Sequence, residues 1–289
     1  MKILITGTNG QVGHALMHEL TEHELIGLTR QDCDLSNLDQ IKQVIDQHQP
    51  DLIINPAAYT KVDQAEDEPE LAYLINRDAP KIMAEKAFEY DIPFIHFSTD
   101  YVFDGKKRDG YSEGDRENPI NIYGKSKLAG EDCIKKIGGK SYIFRTSWVY
   151  SYIGTNFLLK VKDLCNKKKI IKIVDDQIST PTSNLFISKQ IKKIIPQLNI
   201  NNTGTYHLKP HSHCSWFDFA NEIVKREIPI FDLKNINSIK SIEFPTSALR
   251  PKNSKLLNRK IVETFSLDIK DWKEEFYDFL KNSNMKLKN

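Results

Sequence analysis

The sequence predicts an α/β protein: a doubly wound parallel sheet with a smaller, mostly helical second domain. Three observations lead there. Short apolar runs alternate with helix-period stretches up to about residue 208, a glycine turn separates the first run from the first helix, and after Pro210 the alternation gives way to helical patterning. At 289 residues the chain can hold one large α/β unit and an annex.

The first run, Ile3-Leu4-Ile5, leads into Gly7-Thr8-Asn9-Gly10-Gln11-Val12-Gly13, and Val12, Leu16 and Leu20 then recur at helical spacing. Strand, glycine turn and helix in this order make a dinucleotide-binding βαβ unit of Rossmann type. Gly7 permits the sharp exit from the strand, Gly10 lets the backbone approach a pyrophosphate, and Gly13 lets helix and strand pack closely. The N–H groups that open the helix face the anion.

A second strand, Glu24 to Leu28, ends at Thr29-Arg30. A guanidinium at that point suits a ribose 2′-phosphate, so Arg30 favours NADPH, with NADH also admissible. Ser36 and Asp39 have capping-box spacing ahead of a helix whose inner face is Leu38, Ile41, Val44 and Ile45. A third strand, Asp51 to Ala58, is apolar and ends in Pro56-Ala57-Ala58, small residues that leave room for a ligand at a strand's carboxyl end. A helical region from Glu68 to Tyr90 is interrupted near Asn76 to Pro80, and a fourth strand, Ile92 to Phe97, runs into Ser98-Thr99-Asp100-Tyr101. Polar groups there must be hydrogen-bonded or face a cleft.

Tyr123 and Lys127 lie four apart at the start of the next helix, so both can reach one site. Chance alone supplies about one such YxxxK pair in a chain of this composition. A second pair, Tyr277/Lys281, falls on an amphipathic helix with Trp272, Phe276 and Phe279, and packing accounts for it. Position distinguishes the first pair, because it follows a glycine turn, four strands and a strand-end threonine. Further strands are expected at Tyr142 to Tyr150, Ile170 to Val174 and Gly204 to Leu208, with helices opening at Asn156-Phe157 and Asn184. Ser215 with Asp218 caps a helix, Ile239 to Phe244 is read as a short strand, and Ser283 to Asn289 as a frayed end.

Composition excludes several classes. A net charge of +2 provides no field for nucleic acid, and no apolar run approaches the roughly 18 residues of a membrane span. The chain reads as cytoplasmic. Cys33, Cys133, Cys165 and Cys214 lack CxxC spacing and read as free thiols, and His211-Ser212-His213-Cys214 lacks a second ligand group, so no metal site is expected.

Taken together, TGxxGxxG, Ser98 to Phe103, YxxxK, Phe144 to Tyr150, Asp176-Gln177 with Thr180-Pro181-Thr182, and Arg250-Pro251 closely resemble the dTDP-4-dehydrorhamnose reductases, a family of extended short-chain dehydrogenases. The resemblance covers Met1 to at least Leu256. It implies NADPH-dependent reduction of a nucleotide sugar, dTDP-4-dehydro-L-rhamnose, to dTDP-L-rhamnose. By matching position it assigns Thr99, Tyr123 and Lys127 to catalysis. Gly10, Gln11 and Val12 match phosphate-loop contacts, Asp34 and Leu35 adenine contacts, and Ala57, Ala58 and Tyr59 the cofactor's central stretch. Thr99, Asp100, Tyr101 and Trp148 match substrate-binding positions, and Asn156 and Arg250 match diphosphate contacts. The implied division is a cofactor-binding domain in residues 1–150 and about 170–208, and a substrate domain in about 151–169 and 209–289.

The residue types permit the chemistry. Hydride reaching a ketone carbon leaves charge on oxygen, so a proton donor and hydrogen bonds must be aimed there. Tyr123 is the expected donor, with Lys127 expected to lower its pKa and to bond the nicotinamide ribose, and Thr99 to bond the carbonyl oxygen. Some members of the family form dimers around a magnesium ion held by a glutamate where this chain has Ala15. A monomer or a homodimer without that bridge is therefore expected. Two alternatives stay open: another nucleotide-sugar reductase or epimerase, and a non-catalytic NADP-binding regulatory subunit.

Overall fold

In the computed structural model, which describes residues 1–286, the chain alternates strand and helix as β1 (Lys2–Thr6), α1 (Gln11–Glu19), β2 (Glu24–Leu28), α2 (Leu38–His48) and β3 (Leu52–Asn55). There follow α3 (Pro69–Tyr73), a π-helical turn (Leu74–Asp78), α4 (Ala79–Glu89), β4 (Phe94–Thr99), α5 (Ile122–Ile137) and β5 (Ser141–Thr146). The second half holds β6 (Val149–Tyr150), α6 (Phe157–Lys167), β7 (Ile171–Val174), β8 (Ile178–Ser179), β9 (Thr182–Ser183), α7 (Asn184–Ile194) and β10 (Gly204–His207). It ends with β11 (Cys214–Ser215), α8 (Trp216–Glu227), β12 (Ile236–Ile239), α9 (Arg259–Phe265) and α10 (Trp272–Lys286).

Six parallel strands form the main sheet in the order β10-β5-β4-β3-β1-β2. Chain direction across the sheet reverses between β1 and β3, and the crevice beyond their carboxyl ends is where such sheets take ligands. β1, β3 and β4 are buried along almost their whole length, which is why they read as unbroken apolar runs. One face packs Ile3, Ile5, Ile54 and Phe144 against Leu16 of α1 and Phe186, Ile187 and Ile191 of α7, and α9 adds Ile261 and Phe265. The other packs Leu4, Ile53 and Ile143 against Ile41 of α2, Met83 of α4 and Ile134 of α5.

A separate core gathers Tyr150, Leu158, Val161, Phe219, Ile223, Trp272 and Phe276 from β6, α6, α8 and α10. Three two-stranded sheets, β6–β9, β7–β12 and β8–β11, brace it. The expected sixth strand of the alternating series lies here: β7 pairs with β12 rather than joining the main sheet. Its apolar residues Ile171 and Ile173 alternate with exposed or half-exposed neighbours, the signature of a strand buried on one face.

Other local expectations shift for identifiable reasons. Asn37, not Ser36, caps α2 by accepting from Gln40 N–H, because Ser36 is already bonded to Asp34. The strand expected over Tyr142 to Tyr150 breaks at Trp148, whose φ of 45° cannot continue a strand. The strand expected at Ile239 to Phe244 instead covers Ile236–Ile239 and is followed by a 3₁₀ turn. The Ser215/Asp218 capping box forms as expected. Helix α10 continues to Lys286, and residues 287–289 of the expected frayed end lie outside the described residues. All four cysteines are free thiols, and no helix among the described residues is long and apolar enough to cross a membrane.

Candidate active site

At the switch point β1 ends in Gly7, with φ at +59°, and a Cβ there would stand 2.9 Å from the Ala57 Cβ at the end of β3. The two strand ends therefore meet with no side chain between them. Helix α1 starts at Gly10 with no side-chain cap and no acidic residue in its first turn, whereas α2, α5, α6, α7 and α8 are all capped by side chains. Gln11, Val12 and Gly13 begin that uncapped helix, which is the arrangement that receives an anion. Ala57 and Ala58 are half-buried and Tyr59 is buried. The Asn76 amide fixes this loop by accepting from Tyr59 N–H at 2.9 Å and donating to Tyr59 O at 3.0 Å and to Ser126 of α5 at 3.0 Å. Asn76 lies in the π turn, so the expected helix interruption clamps the loop to α5.

Thr99 ends β4 and caps the turn Asp100–Val102 by accepting from Tyr101 N–H at 3.2 Å. Gly124 lets α5 lie on this turn, since a Cβ there would collide with the Tyr101 carbonyl. Asn121 caps α5 by accepting from Gly124 N–H at 2.7 Å and donates to Leu249 O at 2.7 Å. Thr99, Tyr101 and Tyr123 thus converge: the Tyr123 ring meets Tyr101 edge-on at 5.9 Å, and Thr99 acts on the Tyr123 phenol.

Electrostatics correct one expectation. Burial pushes the Tyr123 phenol up to about 12, opposed by Thr99 and helped by the Asp100 charge. Lys127 does not lower it here. The lysine is 2% exposed, and its Nζ donates to Phe97 O at 2.6 Å and lies 3.1 Å from His96 Nε2. Burial brings Lys127 down to about 8, with Glu131 opposing.

The substrate-side positions are less uniform. Asp100 is buried, bonded by Ser179 and Ser254, and burial pushes its carboxyl up to about 6. It therefore ties β4 to β8 and to the 251–258 segment rather than facing open solvent. Trp148 stacks on Trp216 with ring centres 3.5 Å apart. Arg250 is paired with Asp63. Asn156 lies beside the phosphate loop: its side chain caps α6 and its NH₂ donates to Gln11 Oε1, Ser151 O and Ile153 O. On the cofactor side, Leu35 is buried, Arg30 is largely exposed, and Asp34 bonds Ser36 N–H and lies 3.4 Å from Arg30.

A family model described as the RmlD substrate binding domain matches residues 1–285. The chain belongs to this family. Among its relatives is a dTDP-4-dehydrorhamnose reductase from Sinorhizobium fredii, 37% identical over 286 residues, covering 95% of each chain. Another from Escherichia coli K12 is 37% identical over 283 residues and covers 94% of each. A Bacillus anthracis dTDP-4-dehydrorhamnose reductase, solved in complex with NADP, superposes with a TM-score of 0.91 at 36% identity, over 97% of this chain and 99% of that one.

Several residues that shape the site of this RmlD-family chain escaped the sequence reading. Asp63, Ser179, Trp216 and Ser254 act as partners of residues that were identified, and each is distant from its partner in sequence. His96 and Asn55 carried a local signal, a polar side chain inside an otherwise apolar strand.

Proposed function

We propose that the chain reduces the 4-keto group of dTDP-4-dehydro-L-rhamnose with NADPH, giving dTDP-L-rhamnose, and that Tyr123 donates the proton. Family membership supports the substrate class. The observation that carries the chemistry is the convergence of Thr99, Tyr101 and Tyr123 where β4 meets α5.

The residues present fit the cofactor. The side-chain-free meeting of Gly7 and Ala57 and the uncapped start of α1 would hold the pyrophosphate, and Arg30 would meet a ribose 2′-phosphate. Bound NADPH would supply a hydride to C4 of the keto sugar. As that bond forms, the carbonyl π pair moves onto oxygen. Thr99 and Tyr123 hydrogen-bond that oxygen, and the Tyr123 O–H proton transfers to it. A phenol held near 12 is fully protonated at neutral pH and suits this role, and the phenolate left behind recovers its proton from solvent.

Elimination, the chemistry of a related dehydratase, requires a second acid after the threonine-aspartate pair, and Tyr101 occupies that position. The test supplies the keto-sugar nucleotide with NADPH and with NADH and identifies the product. Stoichiometric NADPH oxidation with formation of a 4-hydroxy sugar is expected. Turnover without net NADPH consumption supports an epimerase or dehydratase instead, and no turnover with retained NADPH binding supports a regulatory subunit.

A further inference from the structure

Beneath Lys127 runs a chain of buried polar side chains drawn from four elements: Thr6 of β1, Asn55 of β3, His96 of β4 and Lys127 of α5, each at most 2% exposed. Thr6 Oγ1 lies 2.6 Å from Asn55 Oδ1, and Asn55 Nδ2 lies 3.1 Å from His96 Nδ1. His96 Nε2 lies 3.1 Å from Lys127 Nζ, which also donates to Phe97 O at 2.6 Å.

Proton inventory decides how this chain is ordered. An ammonium has three donors and no acceptor, so a charged Lys127 needs a bare Nε2 opposite it. A neutral imidazole then carries its proton on Nδ1, which must find an acceptor in Asn55. That requires the amide turned end for end from this placement, its oxygen toward His96 and its NH₂ toward Thr6, an exchange of two atoms of nearly equal size. The opposite tautomer would aim an N–H at an ammonium. Burial and the Lys127 charge both keep His96 neutral, its pKa held well below the usual range. The other charged group acting on the pair is Glu131 one turn further along α5, itself bonded to Arg145 of β5.

We propose that His96 is a positioning residue for Lys127: as the Nδ1-protonated neutral imidazole, it presents a bare Nε2 that holds the ammonium charged and aimed. Its kinetic part rests on the reductase reading, and its tautomer does not. Without His96 the buried ammonium keeps one main-chain acceptor, Phe97 O. The amine form is then favoured, and Lys127 loses its charge at lower pH.

Two measurements test this. In ¹⁵N-histidine-labelled protein at pH 6.5, the His96 signals, assigned by their loss in His96→Gln, should show the Nδ1–H tautomer. An Nε2–H tautomer overturns the proposal whether or not the chain is a reductase. In keto-sugar reduction, His96→Leu should lower kcat about tenfold, the effect of one hydrogen bond to a charged group. It should also move the alkaline limb of the pH profile down by about one unit. His96→Gln, whose Oε1 can replace Nε2 as acceptor, should restore the limb. A limb unmoved in the leucine variant overturns the proposal. Wild-type protein that reduces no keto sugar defeats the reductase reading and leaves the tautomer to decide the role of His96.

Discussion

Arg250 and Asp63, far apart in the chain, form a two-point ion pair, with Nη2 to Oδ2 at 2.7 Å and Nη1 to Oδ1 at 3.0 Å. Arg250 also donates to Ala248 O, and Asp63 accepts from Ala248 N–H, so the pair fastens the 246–250 loop over the start of α5. Planar two-point pairing fixes the direction of the guanidinium. Asp63→Asn should therefore raise KM for the nucleotide sugar severalfold and leave kcat within about twofold, since the pair does not touch the reacting oxygen. Initial-rate kinetics on both variants would check it, and Arg250→Met should show the larger KM effect.

Tyr123→Phe removes the proposed proton donor and keeps the ring that packs on Tyr101. Turnover should fall at least about a hundredfold, the lower end of general acid catalysis. NADPH affinity, measured by fluorescence titration, should remain within about twofold. Undiminished turnover would remove Tyr123 from the chemistry.

The pH profile follows from two shifted groups. Burial holds Tyr123 near 12, so it stays protonated over the working range, whereas burial lowers Lys127 to about 8. Lys127 is charged below that value and neutral above it. If the charged lysine is the active form, kcat/KM should be flat from about pH 6 to 7.5 and then fall as pH rises through about 8. A profile flat to pH 10 would show that the lysine charge is not used.

The elements bearing the site were legible because they announce themselves locally. The turn at Gly7 and the helix at Tyr123 need particular residues at fixed spacing, and such spacing survives in a bare sequence. The partners of those residues did not. Asp63 reaches Arg250, Ser254 reaches Asp100 and Trp216 reaches Trp148 only because the two cores close on each other, and no periodicity records that. The Lys127 error has a different origin. Helical spacing correctly put Tyr123 and Lys127 on one face, but spacing says nothing of competing acceptors, and His96 with Phe97 O takes the ammonium.

Asp100 offers a stability test. Its buried carboxyl is pushed to about 6, above its ordinary 3.8, so between those values the folded state binds more protons than the unfolded one. Its contribution to stability is greatest below about pH 4 and declines as pH rises to about 6, by roughly 3 kcal/mol at most. Asp100→Asn keeps an acceptor for Ser179 and Ser254 and removes the charge. The variant should therefore gain thermal stability relative to wild type on going from pH 4.5 to pH 7.5, by a few degrees for a chain of this size. Calorimetry at the two pH values would check it, and an unchanged difference would show that the carboxyl is ionised throughout.

The last prediction concerns the support under α5. Arg145 of β5 and Glu131 of α5 have fully buried side chains, joined at 2.9 Å (Nε to Oε1) and 2.6 Å (Nη2 to Oε2), and Arg145 also bonds Glu117. Burial alone would raise the Glu131 carboxyl, but the Arg145 charge overrides it and holds the group at about 2. A folded pKa below the unfolded value gives stability that is present above about pH 4.5 and lost as pH falls toward 2. Glu131→Gln leaves the buried guanidinium with Glu117 alone as counter-charge and should cost at most about 3 to 5 kcal/mol at pH 7, read as a lower urea midpoint. The deficit should shrink toward pH 3, because Glu131 takes up a proton in the unfolded chain there while the folded carboxylate, held at about 2, still keeps its charge. Desolvation of both ions offsets much of what their attraction provides, so replacing Glu131 and Arg145 together with leucine and methionine should recover most of the loss. Failure of the double variant to recover would mean that the pair also fixes how α5 docks on β5, and with it the placement of Tyr123.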